Sequence, residues 1–151
     1  ASGGKVEIKK YVNPQIPVLL LNKALFSWVL ENLLKNSLDA LESNGGFINI
    51  VSDFLNEKKI YLDVQDNGKG ISSRERKNIF HPGYSTKKRG WGLGLSLARR
   101  IIEEYHGGSL LLKESQPNAG STFRIILEVK TTSKQMERTR QDDHSGALIT
   151  Y

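Results

Sequence analysis

Glu31-Asn32-Leu33-Leu34-Lys35-Asn36-Ser37-Leu38-Asp39-Ala40 sets two amides four residues apart inside an apolar run. At helical periodicity residues four apart share a face. The pattern extends over residues 23–42, where Leu25, Trp28, Val29, Leu33 and Leu41 gather on much of one side. A helix this apolar is expected to lie flat on a sheet. Asn22 is a fitting N-cap, and Asn44-Gly45-Gly46 ends the helix with glycine for a left-handed cap. Buried amides need partners. Asn32 and Asn36 therefore read in two ways: as bonds to a neighbouring loop or strand, or as a hard carbonyl ligand for Mg²⁺. That ion takes few protein groups and keeps waters and phosphate oxygens.

Working outward, Val6–Val12 alternates loosely as a strand, broken by Asn13-Pro14 and Pro17. Val18-Leu19-Leu20-Leu21 reads as a short buried run. Residues 47–54 and 59–65 form a hairpin, with Ile60, Leu62 and Val64 alternating with Tyr61, Asp63 and Gln65. Asp66-Asn67-Gly68-Lys69-Gly70 is a glycine-rich turn, after which Ser72 caps a short helix over residues 74–80. Residues 81–91 form a polar loop, and residues 93–105 a second long helix closed by His106-Gly107-Gly108. Residues 109–114 and 121–129 are the last strands. The order of elements predicts an α+β fold: a two-layer α/β sandwich, its mixed, mostly antiparallel sheet covered on one face by helices.

The 151 residues suit one domain with a core. No stretch of about 18 apolar residues occurs, so no transmembrane helix is expected. The absence of cysteine excludes disulfides, zinc–thiolate sites and thiol nucleophiles. The formal net charge of +6 is scattered over small clusters such as Lys58-Lys59 and Lys87-Lys88-Arg89. Neither a long basic run nor a stacking aromatic array accompanies it, which argues against nucleic acid. A polyanion the size of a nucleotide would satisfy one such cluster.

Two further motifs carry chemistry only in context. Asp66 opens Asp-x-Gly-x-Gly at a strand end. Alone this is a common tight turn; it is also a carboxylate able to accept from an exocyclic amine, with Gly68 and Gly70 letting backbone approach a flat ring. Gly90-Trp91-Gly92-Leu93-Gly94-Leu95 runs into a helix, where backbone N–H groups can meet phosphate. It is not the dinucleotide fingerprint, which would need glycine at Leu95, and no P-loop pattern occurs.

In order and context, these three elements resemble the ATP-binding fold of gyrase-type ATPases, heat-shock chaperones and histidine kinases, the Bergerat-type fold. The sequence is similar in particular to the catalytic domain of a sensor histidine kinase. Glu31–Ala40 resembles the N box, Asp66-Asn67-Gly68-Lys69-Gly70-Ile71 the G1 box, Ile79-Phe80-His81-Pro82-Gly83-Tyr84-Ser85-Thr86-Lys87 the F box, and Gly90-Trp91-Gly92-Leu93-Gly94-Leu95 the G2 box. Gly120-Ser121-Thr122-Phe123 resembles the last glycine–threonine element. The resemblance implies that Asp66 bonds the adenine amine, with Thr122 near the same ring. It implies that Asn36 holds Mg²⁺ and that Asn32 lies close to the phosphates. Residues 81–91 would be the ATP lid, with Lys87 meeting phosphate, Gly92 and Gly94 offering backbone amides, and Thr86, Gly90, Leu93 and Leu95 beside the nucleotide. Gly83 departs from the second Phe many members have, which leaves lid anchoring to Phe80 and Tyr84. Asp39 stands where some members carry Lys.

Hydrolysing relatives place a general-base Glu four residues before the metal-binding Asn. That position here is Asn32, which cannot take a proton, and Glu31 is turned about 100° away. Phosphoryl transfer to a protein acceptor is thus favoured over hydrolysis by a gyrase- or chaperone-type ATPase. A nucleotide-dependent interaction module and an anti-sigma serine kinase are two further functions that the same fold could serve. None of His81, His106 and His144 sits early in an amphipathic helix beside an acid, as an acceptor requires; His106 is expected to complement a helix dipole. The acceptor histidine is expected on a separate helical dimerisation domain, and the phosphate is expected to pass to a response regulator. Residues 1–5 read as a linker or cloning scar, 6–130 as the ATP-binding catalytic domain, and 131–151 as a polar tail, partly vector-derived. The domain is expected in the cytoplasm without membrane contact of its own, in a parent protein either free or membrane-anchored.

Overall fold

The computed structural model describes residues 4–84 and 94–129. Helix α1, Lys23–Leu41, begins where Asn22 Oδ1 accepts from Leu25 N–H at 3.1 Å. It buries Val29, Leu33, Ser37 and Leu41, a stripe repeating every four residues. Leu25 and Trp28 are only half-buried beside it. The helix ends one residue earlier than its periodicity predicts. Glu42 takes φ 57° and a short 3₁₀ turn, Glu42–Asn44, follows before Gly45 at φ 73°.

The strands are β1 Val6–Val12, β2 Gly46–Phe54, β3 Lys59–Asp66, β4 Ser109–Gln116 and β5 Gly120–Glu128. They form one sheet in the order β1-β2-β3-β5-β4, with β1 parallel to β2 and every other pair antiparallel. Helix α2, Ser73–Arg76, is a single turn capped by Ser72 Oγ. Helix α3, Gly94–Arg100, continues as a π-helical stretch, Ile101–Tyr105. Helix α1 lies mainly over β3, and α3 with its continuation packs on α1 and β4. The expected α+β sandwich with helices on one face is the architecture found. Ile48, Val64, Phe123 and Ile125 rise from the sheet to meet Val29, Leu33, Ala98 and Ile102.

Two local expectations are corrected. Residues 74–80 do not continue as a helix, because after Arg76 the backbone closes successive turns, Asn78 N–H to Glu75 O and His81 N–H to Asn78 O. Residues 18–21 are not a buried run. Val18 and Leu20 are 48% and 65% exposed while Leu19 and Leu21 are half-buried, as in an extended segment that turns alternate side chains to solvent. His106 meets the helix end as expected: its Nδ1 lies 3.0 Å from the last-turn carbonyl of Ile101, while its Nε2 accepts from Asn22 N–H at 3.1 Å. The imidazole thus ties the start of α1 to the end of the second helix.

On the open face, Arg124 makes two bonds to Asp63, Nε to Oδ1 at 2.8 Å and Nη2 to Oδ2 at 2.9 Å. Its guanidinium stacks 4.0 Å over the Tyr61 ring. The Asp63 side chain is only 10% exposed, and its remaining cation, Lys113, stands 3.8 Å away. Arg124→Met would leave a nearly buried carboxylate with that one distant partner. We expect a loss of about 2 kcal/mol in urea unfolding, part of it recovered by adding Asp63→Asn. An unchanged midpoint would show that Lys113 suffices.

Candidate functional site

Four strand-end and loop segments converge where α1 ends. Asp66, the last residue of β3, is 4% exposed. Its Oδ1 accepts from Gly68 N–H at 2.9 Å, and Ser121 of β5 stands opposite it across the ladder. Burial pushes its pKa above the ordinary 3.8; the Gly68 N–H, the Ser37 hydroxyl and the Ser121 N–H pull it down without offsetting the desolvation. Ser37, on α1 and 1% exposed, faces this carboxylate closely enough to draw on it. Its hydroxyl nonetheless has no partner at ordinary hydrogen-bond geometry. A buried carboxylate and a buried hydroxyl with spare bonding capacity form a polar spot suited to an arriving donor.

The loop after Asp66 is cinched from both sides. Lys69 N–H reaches Ala40 O at the end of α1 (2.9 Å), Asn118 N–H reaches Lys69 O (2.7 Å), and Ile71 N–H reaches Ser115 Oγ (2.7 Å). Side chains at Gly68 and Gly70 would collide with the Ala40 carbonyl and with the Gln116 carbonyl, and Gly70 has φ 71°. Close packing against α1 and the β4–β5 turn therefore requires glycine at both positions.

Asn32 and Asn36 are half-buried on the flank of α1 next to the buried stripe. Asn32 packs against the start of α3, where a Cβ at Gly94 would stand 3.1 Å from Asn32 Nδ2. Leu95 is half-buried against the core. The structure thus joins Asn32 to the glycine-led helix, and joins Ser37 of the same helix to Asp66. The expected contacts at Thr86, Lys87, Gly90, Gly92 and Leu93 lie outside the described residues.

Thr122 is a correction. Asp66 pairs with Ser121 across the β3–β5 ladder, and Thr122 pairs with Gln65. Paired residues share a face and successive residues alternate, so Thr122 leaves the sheet on the side opposite Asp66. The hydroxyl on the Asp66 side belongs to Ser121, held 2.8 Å from Ser115 Oγ. Counting back by two from the buried Phe123 would have found it. Ser37 was likewise missed, although it continues the Val29, Leu33 stripe by four residues.

Two shallow hollows flank this centre. One, about 210 Å³, lies between the end of α1 and the Asn67–Lys69 loop; the other, about 130 Å³, borders Asp66, Gly120 and Thr122 at the strand ends. Neither contains Asn36. Among the described residues no group of three acidic, His or Cys side chains could hold a metal. A hard ion here would have to rely on an amide oxygen, as at Asn36, together with oxygens of a phosphate ligand.

The family described as histidine kinase-, DNA gyrase B- and HSP90-like ATPase matches residues 22–131. The chain belongs to this family of ATP-binding proteins. Within it the similarities run to sensor histidine kinases, and the chain is of their catalytic, ATP-binding kind. Sensor histidine kinase ZraS of Escherichia coli K12 is 32% identical over 136 residues, covering 89% of this chain and 28% of the relative. Sporulation kinase E of Bacillus subtilis 168 is 29% identical over 135 residues, covering 89% of this chain and 18% of the relative. The chain therefore spans less than a third of the length of either. The catalytic domain of histidine kinase ThkA, in a nucleotide-free form, superposes with a TM-score of 0.72 at 29% identity, covering 83% of this chain and 82% of that one. No described helix is long and apolar enough to cross a membrane.

Proposed function

We propose that this domain binds Mg·ATP and donates its γ-phosphate to a histidine on a separate dimerisation and phosphoacceptor domain, from which a response regulator takes it. In this reading residues 6–130 are the catalytic domain and residues 131–151 a tail outside it, and the domain works in the cytoplasm, where ATP is supplied. The observation that carries the reading is Asp66. It is a buried carboxylate held by the backbone N–H of Gly68, and it adjoins the helix that bears Asn32 and Asn36. Its remaining acceptor capacity suits the exocyclic amine of adenine, and Ser37 and Ser121 are the hydroxyls on its side of the sheet. Asn36 would hold the metal through its carbonyl oxygen, where the ion supplies charge neutralisation to the phosphates. Lys87 and the amides of Gly90–Gly94 would take the rest of that charge. Among the other functions the same fold could serve, nucleotide-dependent docking without chemistry is disfavoured by the intact Asp66, Asn36 and glycines, and ATP hydrolysis by Asn32. An amide at the position of the general base, packed against Gly94, cannot activate water.

Calorimetry with ATP and GTP in the presence of Mg²⁺ tests the nucleotide half of this reading. Adenine preference is expected, and equal affinity for GTP would sink the role of Asp66. Labelled ATP with a purified phosphoacceptor domain tests the transfer half. Rapid hydrolysis without any acceptor would point to an ATPase instead.

A further inference from the structure

Two buried hydroxyls beside Asp66 are wired in one direction. Ser115 of β4 is 1% exposed and Ser121 of β5 is 5% exposed. Ser115 Oγ takes part in three contacts at once. Ile71 N–H donates to it at 2.7 Å, it donates to Gly120 O at 3.2 Å, and it lies 2.8 Å from Ser121 Oγ. A hydroxyl has one proton and two lone pairs. The Ser115 proton goes to Gly120 O, since a carbonyl can only accept, and one lone pair takes the Ile71 N–H. The third contact is then a hydrogen bond only if Ser121 is the donor. Buried polar groups are costly to leave unpaired, which selects the arrangement that completes all three bonds. Ser121 thereby commits its single proton to Ser115 and has only lone pairs left for any other partner. It pairs with Asp66 across the ladder, and the two line one hollow at the strand ends. Ser37, whose hydroxyl faces the same carboxylate, has that charge to turn its own proton toward.

We propose that Ser115 is a positioning residue for nucleobase selection: it holds Ser121 as an acceptor beside Asp66, so that the site takes a base with an exocyclic amine and refuses one with a carbonyl in its place. The inference rests on the reading above that Asp66 receives adenine. An amine has protons to offer to both acceptors. A carbonyl oxygen would face two acceptors, and the Ser121 proton can turn to meet it only after leaving Ser115. This discrimination adds to that of the Asp66 carboxylate itself. Ser115 supplies it without touching the base, because a hydroxyl oriented before the ligand arrives needs no reordering on binding.

The test is calorimetry on the whole chain with Mg·ATP and with Mg·ITP, inosine triphosphate carrying a carbonyl in place of adenine's amine. The quantity read is the ratio of the two affinities. Ser115→Ala frees the Ser121 proton, so the preference for ATP should fall about three- to tenfold, the worth of one neutral hydrogen bond made or lost. Ser115→Thr keeps the hydroxyl and should restore the preference. Ser121→Ala should lower it to a similar extent, and in that background Ser115→Ala should change it no further. A role confined to holding Ile71 would weaken both nucleotides alike. An unchanged ratio in Ser115→Ala, or a second fall in the double variant, would overturn the inference. Ser121→Ala spares the Ile71 bond and keeps the test decisive if the Ser115 variants fail to fold, since an unchanged ratio there would overturn it as well. A wild-type chain that binds ATP and ITP equally would instead refute the assignment of Asp66 to the purine.

Discussion

Replacing Asp66 with Asn is expected to weaken ATP binding about 100-fold while leaving the domain folded and, without ligand, at least as stable as the wild type. The substitution keeps the shape of the side chain. Gly68 N–H, which donates to Oδ1 at 2.9 Å, will hold the new amide's oxygen in that place. The amide's NH₂ then occupies the position of the second carboxylate oxygen. A donor would face the donor amine of adenine, in a site that burial has stripped of water. Losing a charged acceptor and opposing two donors is worth about 2–3 kcal/mol, which is the expected factor. Guanine presents a carbonyl at the corresponding ring position, so GTP should lose little and the preference between the two nucleotides should shrink or invert. Calorimetry with both nucleotides measures this directly. A variant that keeps its adenine preference would remove Asp66 from the site.

The stability half of the expectation follows from the carboxyl's raised pKa, whose first cause is desolvation. An acid whose pKa is higher in the folded state than in the unfolded state binds its proton more tightly when folded. Its contribution to stability is present in full below the unfolded value, 3.8, and is lost as pH rises through the raised folded value. At neutral pH the ligand-free domain therefore carries the cost of a buried charge that the nucleotide's amine would offset. Asn carries no such cost. Urea midpoints of the wild type should fall between about pH 4 and neutrality relative to those of Asp66→Asn. Parallel curves across that range would show that the backbone donors neutralise the penalty completely. A binding site that strains its own apo fold is a common consequence of selection for function over stability.

The sequence disclosed most where a period could be counted. The four-residue stripe of α1 and the alternation of β3 gave both elements their faces, and Asn22 and Ser72 cap the helices they were expected to cap. Placement was legible for the candidate site residues: Asp66 ends β3 and the two amides share one flank of α1, as expected. It was not legible where the role depends on parity or on tertiary neighbours. Thr122 and Ser121 are chemically near-equivalent and adjacent, and only the pairing of Ser121 with Asp66 decides between them. The close packing that requires Gly68 and Gly70 was equally hidden, since a Cβ there would meet Ala40 and Gln116, which lie 28 and 46 residues away in the chain. His106 was placed at a helix end from the sequence, but its second bond, from the amide of Asn22, depends on a contact 84 residues away that no local pattern could foretell. Cation stacking of Arg99 on Phe80 has the same character, since the two meet only across the fold.

Asn36→Ala should separate binding from chemistry more sharply than any change near the purine. Phosphoryl transfer needs little covalent help from the protein and depends on positioning and on neutralising phosphate charge. In the proposed site Asn36 is the residue through which a metal would serve that end, and Asn32, packed on Gly94, instead braces the helix start. Removing the Asn36 amide should reduce transfer to a phosphoacceptor domain by about 100-fold or more, since an interaction used mainly in the transition state lowers kcat rather than raising KM. Adenosine affinity, set at Asp66, should not change. A second readout needs no turnover: the ratio of ATP affinities measured with Mg²⁺ and with a chelator. That ratio should exceed one in the wild type and collapse towards one in Asn36→Ala, while Asn32→Ala should keep most of it and lose stability instead. Undiminished transfer together with an unchanged ratio would place the metal elsewhere, and the amide pair would then be a packing feature of α1 against α3.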